Sequence, residues 1–125
     1  MITIRQQQME ALREYMRRNF EDRAVKHVAV TFPQEYEEML DPKEGDKKVR
    51  ELVREGVRKA SSYRIRSEQN VLAYISLMVG ISPDFDESED MAWARAILAD
   101  EKLDEDTKME LIYGQLQAKE EAGRL

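Results

Sequence analysis

An all-α fold follows from three features of this 125-residue chain. Only 5 Gly and 3 Pro interrupt it, its β-formers are thinly spread, and its apolar residues recur every three or four positions. Together they predict a single compact bundle of about five to six helices. With 42% hydrophobic and 37% charged residues, the chain has material for a core and a heavily solvated exterior. Residues 1–117 read as one helical domain and residues 118–125 as a polar, frayed tail.

The first helix is expected to start after Thr3, which can cap it with Gln6 three residues on, and to run to the residues before Pro33. Met9, Leu12, Met16, Phe20, Ala24 and Val28 form one stripe along it, which predicts the founding core helix. Pro33 then opens a short second helix, Gln34 to Leu40, and Asp41-Pro42-Lys43-Glu44-Gly45 breaks the chain. A third helix, Asp46 to Ser62, lines one face with Val49, Leu52, Val53, Gly56, Val57 and Ala60. A glycine in mid-helix costs about 1 kcal/mol relative to alanine, so Gly56 predicts the close approach of another helix.

Ser67 is a strong cap for a fourth helix, Glu68 to Val79, the most apolar stretch and the expected centre of the bundle. Ile81 to Asp90 reads as a loop containing Pro83 and Phe85. A fifth helix runs from about Asp90 to Ala99 with Met91, Trp93, Ala94, Ile97 and Leu98. The sixth begins near Asp104–Asp106 and presents Met109, Ile112, Tyr113 and Leu116.

Composition narrows the chemistry. Without cysteine there are no disulfides, thiolate nucleophiles or common structural zinc sites, and one histidine, His27, cannot build a multi-histidine cage. The acidic run Asp84 to Asp90 invites a calcium reading, but counting from Asp84 puts Glu89 and Arg95 where an EF-hand loop needs Gly and Glu. Phe85 is read instead as a plug that fastens the loop. His27 is the one neutral-pH base, and no Gly-x-Ser-x-Gly elbow or glycine-rich phosphate loop accompanies it. The expectation is a protein that is not an enzyme, with no catalytic, cofactor-binding or metal-ligating residues.

Charge divides unevenly: residues 1–66 hold 15 Lys+Arg and 12 Asp+Glu, residues 67–125 hold 5 and 14. The basic set Arg50, Arg54, Arg58, Lys59, Arg64 and Arg66 is interleaved with Glu51 and Glu55 at helical spacing. That favours a solvated face with intrahelical pairs over a nucleic-acid surface. No run of about 20 apolar residues or signal-peptide segment is present, which predicts a cytoplasmic protein without membrane or nucleic-acid partners.

The segment Gly56-Val57 through Tyr63, Ser67-Glu68, Val71 and Tyr74-Ile75-Ser76-Leu77-Met78 resembles a family of small bacterial proteins with the pattern G-I-x-x-A-x-x-Y-G-I-x-S-E-x-D-V-x-x-Y-I-x-L-M. Phe32-Pro33, Gly80, Phe85-Asp86, Trp93-Ala94, Ile97-Leu98, Lys108, Leu111 and Tyr113 resemble further elements of it, so the likeness spans most of residues 5–116. Genes of that family often lie beside type VI secretion spike, tip or effector genes. The resemblance implies an accessory protein, an adaptor or chaperone that binds a secretion effector or spike component; the alternative is an immunity protein whose acidic second half covers a basic toxin. Homo-oligomers are compatible with either. Phe85, Asp86 and Trp93 are the candidate protein-binding residues, the competing reading being that both rings belong to the core. Two positions depart from the pattern. Arg64 replaces a glycine, which implies strain if the third helix ends there in a left-handed residue, and Asn70 replaces an acid near the start of the fourth helix.

Overall fold

The computed structural model describes residues 6–123, which form six α-helices and two single-turn 3-10 helices. The fold is all-α. The expected cap Thr3 lies outside the described residues. Two compact units make up the chain, residues 1–54 and 55–125.

The first unit contains α1 (Gln6–Thr31), α2 (Pro33–Met39) and the first half of α3 (Lys47–Ser62). Pro33 occupies the first turn of α2, where its missing N–H and fixed φ cost nothing. Between α2 and α3, Asp41 accepts from the backbone N–H groups of Lys43 and Glu44, and a backbone bridge joins Asp41 to Gly45, whose φ is +63°. Burial in α1 begins late: Glu21, Ala24, Val25 and Val28 are its buried residues. Leu12 and Met16 are exposed, so of the stripe expected to found the core only the end at Ala24 and Val28 enters it. The reason is rotational. At 3.6 residues per turn, Leu12 and Met16 lie about 120–160° around the helix from Val28, on a different face.

Glu21 is the polar centre of this unit. Arg54 donates to its carboxylate from Nε (3.0 Å) and Nη2 (3.1 Å), and Arg50 donates from Nη1 (3.2 Å). Burial alone would raise the Glu21 pKa; the hydrogen bonds from Arg54 and Arg50 outweigh it and hold the carboxyl below its ordinary range. Arg50 also reaches Asp22 at 2.8 Å and Asp46 at 3.1 Å. Two arginines of the supposed solvated face thus fasten α3 to α1, while Arg58 pairs within its own helix with Glu55 as expected.

The second unit runs through the rest of α3, α4 (Glu68–Gly80), the 3-10 turns Phe85–Glu87 and Glu89–Met91, α5 (Ala92–Ala99) and α6 (Glu105–Glu121). Its core takes Ala60, Ile65, Val71, Tyr74, Ile75, Leu77, Met78, Phe85, Leu98 and Ile112. As its composition predicts, α4 contributes most. A Cβ on Gly56 would lie 2.6 Å from Ile75 Cγ1 and 3.1 Å from Met78 Sδ, so the absence of a side chain is what lets α3 and α4 approach. α3 ends at Arg64 with φ +64°; Arg64 and Ile65 donate backbone N–H to Ser61 and Ala60, closing the turn around a left-handed arginine. The expected loop at 81–90 is ordered into its two turns. The tail expected from Ala118 continues as helix to Glu121, because Ala, Lys and Glu all favour helix and Lys119 Nζ sits 4.3 Å above the Trp93 ring. Gly123, at φ +70°, follows the helix end.

Candidate protein-interaction site

The three residues singled out from sequence lie together in the second unit, and its packing sets what each can do. Phe85 is fully buried, 5.2 Å between ring centroids from Tyr74, which in turn lies 6.2 Å from Tyr63. Asp86 is 5% exposed and accepts from Tyr63 Oη at 2.7 Å and from Lys59 Nζ at 3.2 Å. Burial first, then the hydrogen bond to Asp86, pushes the Tyr63 phenol up to about 12. Lys59 also reaches Asp84 at 3.1 Å and the carbonyl of Pro83 at 3.2 Å; desolvation opposes its charge, and these acids more than restore it, so its pKa is raised. Asp86 therefore fastens the 3-10 turn to Lys59 of α3 and to Tyr63, and Phe85 fastens it to Tyr74 of α4. Trp93 is half-buried beneath Lys119.

Asn70 does more than the departure from the family pattern suggests. Its Nδ2 donates to Glu105 Oε1 at 2.9 Å and to Asp106 Oδ1 at 2.6 Å, while the Ser67 N–H donates to the same Glu105 oxygen at 2.9 Å. An aspartate at 70 would face two carboxylates; the amide joins α4 to α6 instead. Hydrogen bonds from Ser67 and Asn70 hold the Glu105 carboxyl down to about 2.

Lys108 is the functional-looking residue that sequence reading passed over. It is 2% exposed, and its Nζ donates to the Tyr63 carbonyl at 2.8 Å, placing an ammonium at the carboxyl end of α3, where the helix dipole favours it. The signal was available: Lys108 and Ile112 stand four apart on the inward stripe of α6.

α6 presents exposed apolar side chains in this unit, and Val57 and Ile81 are exposed elsewhere in it. Leu111 and Tyr113 are 46% and 39% exposed. On one side a groove of about 370 Å³ is lined by α4 and α6, with Asn70, Ala73, Asp106, Met109 and Tyr113 in its wall. On the other, a groove of about 410 Å³ is lined by Ile97, Leu111, Gly114 and Gln115. Glu110 borders both. Tyr113 is anchored by donating to the Ala73 carbonyl at 2.7 Å. Gly114, mid-helix, lines the second groove, and an added Cβ there would meet nothing within 4 Å. Gly56 has a packing reason inside the fold and Gly114 has none. His27 is half-buried on α1 in the first unit.

No protein-family model, curated protein or solved structure matches the chain. No helix among the described residues is long and apolar enough to cross a membrane.

Proposed function

We propose that this chain is a non-enzymatic accessory protein, an adaptor or chaperone, that binds a type VI secretion effector or spike component through α6. The observation that carries the docking surface is Gly114. A solvent-facing glycine in mid-helix costs about 1 kcal/mol, and a local rule broken without a packing gain is a mark of function. Without a side chain there, a partner backbone can approach α6 closely. The groove that Gly114 lines, and the one on the other side of Glu110, would take side chains, with Leu111 and Tyr113 as anchors.

Charge identifies the class of segment that would dock. Residues 55–125 carry 9 Lys+Arg against 15 Asp+Glu, and Asp106 and Glu110 edge the grooves. A basic amphipathic helix fits this arrangement: its apolar face would enter the grooves while its cations meet the acidic rim. The secretion assignment itself rests on the sequence resemblance, which spans most of residues 5–116. An acidic face also suits the immunity reading, in which the basic segment belongs to a toxin.

Co-production with the product of an adjacent effector gene separates the two. An adaptor raises the solubility or secretion of the effector without sparing a cell from its toxicity. Rescue of cells from toxin made in the cytoplasm, without any gain in solubility or export, would replace the adaptor with the immunity protein.

A further inference from the structure

Lys108 carries a charge that the fold buries and does not balance. The side chain is 2% exposed, and among the described residues its Nζ meets one acceptor, the Tyr63 carbonyl at 2.8 Å, and no carboxylate. An ammonium has three N–H donors, so two are unspent. Lysine is almost never fully enclosed unless it is paired, because a buried ion without a counter-charge is costly. The carboxyl end of α3 offsets only about half an elementary charge. Lys108 also lines a cavity of about 170 Å³ at that helix end, whose lining includes buried Leu98 and the exposed residues Arg64, Ala99 and Glu101. One water needs only about 10–15 Å³, so the cavity has room for a small ligand.

We propose that this cavity binds a short aliphatic monocarboxylate, with Lys108 and Arg64 holding the headgroup and Leu98 and Ala99 beside the alkyl chain. The missing counter-charge is negative, and the place selects its kind. A helix carboxyl end repels a multiply charged anion such as phosphate more than it repels a monoanion. Arg64 already holds a carboxylate there, its Nη2 donating to Glu101 Oε1 at 3.3 Å. That ion pair is exposed on both sides and adds little to stability, so it does not account for a non-glycine residue kept at φ +64°. Arginine in the left-handed region is strained where glycine is not, and such strain persists where a side chain is needed. Here the side chain is a guanidinium lining the same cavity as an unbalanced ammonium. Glu101 competes with the ligand for it. A free acid and the carboxyl end of a peptide carry the same headgroup, so either source fits. The cavity shares no lining residue with the two α6 grooves and is independent of the docking proposal.

Amide NMR shifts of the full chain, titrated with sodium propionate and in parallel with N-acetylalanine at constant pH and at an ionic strength held with sodium chloride, test the proposal. Saturable shifts are expected at millimolar ligand, centred on residues 63–65, 98–101 and 108, and the tighter binder of the two identifies the source. Arg64→Gly removes the strain and the guanidinium together. It should be at least as stable as the native chain in urea, yet bind propionate about threefold more weakly. Glu101→Gln, which removes the competing carboxylate, should bind more tightly. Lys108→Met should abolish saturation; that variant can fail to fold, so Arg64→Gly carries the decision. Shifts that never saturate, or that saturate only at residues away from the cavity, overturn the proposal. So does phosphate binding more tightly than propionate, or an Arg64→Gly chain that binds propionate as well as the native one.

Discussion

Replacing glycine by alanine at positions 56 and 114 removes the same backbone freedom from the unfolded chain, and both sites lie in mid-helix. Intrinsic helix propensity therefore favours alanine by nearly the same amount, about 0.8–1 kcal/mol, at each. What differs is the space. At Gly114 a methyl group meets nothing within 4 Å, so Gly114→Ala should be more stable than the native chain by about 0.5–1 kcal/mol. At Gly56 the methyl would lie 2.6 Å from Ile75 Cγ1, far inside the roughly 3.5–4 Å at which carbon atoms rest. Ile75 is fully buried and stiff about χ1, so it cannot swing aside; Met78, 3.1 Å away, can yield only in part. Overpacking of this kind costs about 1–3 kcal/mol, which leaves Gly56→Ala less stable than native by up to about 2 kcal/mol after the propensity gain. Urea unfolding of the three proteins, with a shared m-value, measures this directly. In thermal melts the two variants should move in opposite directions by about 3–5 °C. If Gly56→Ala were stabilised as much as Gly114→Ala, the close packing of α3 on α4 would be refuted.

Other perturbations follow from the same contacts. Phe85→Ala should cost about 3–4 kcal/mol in chemical denaturation, since it empties a fully enclosed site beside Tyr74; a cost below 1 kcal/mol would mean the ring is not held inside. Tyr74 Oη is buried without a hydrogen-bond partner, so Tyr74→Phe should be neutral or mildly stabilising, and a loss above 1 kcal/mol in the same assay would reveal a partner. The folded Glu105 carboxyl is held near 2 against an ordinary 4.5, so its contribution is complete above about pH 4.5 and is lost as pH falls toward 2. Glu105→Gln should accordingly lower stability by about 1–2 kcal/mol at neutral pH, after allowance for solvent screening, and by little near pH 2; a difference that stays constant with pH would remove the ion from the account.

The sequence makes the helices legible because helix periodicity, caps and breakers are local. Pro33 at the start of α2, Ser67 accepting from the Asn70 N–H, and Gly56 under Ile75 all follow from neighbours in the chain and a single steric rule. α1 misleads for an equally physical reason. Met9, Leu12, Met16, Phe20, Ala24 and Val28 look like one stripe in one-letter code, but steps of three and four drift around the helix, and the core takes only the end where Ala24 and Val28 lie. Long-range polar bonds were out of reach. Glu21 sits in the chain like any surface acid, and nothing near it in sequence announces that Arg50 and Arg54 will enclose it. The aromatic and acidic residues of the 84–93 region drew the eye as an interface. Tyr63, Lys59 and Lys119, the groups that engage Asp86 and Trp93, are 23 to 27 residues away from them. The grooves beside α6 need three helices to be placed first, which spacing alone does not do.

The measurement that bears most directly on the proposed role is affinity capture of products of the neighbouring genes by the native chain, by Leu111→Glu and by Gly114→Ala, with all three checked for folding. The account predicts that the native chain retains a secretion effector or spike component, that Leu111→Glu loses it, and that Gly114→Ala holds it more weakly despite its greater stability. Failure of the native chain to retain any such component, or equal retention by all three proteins, would contradict it.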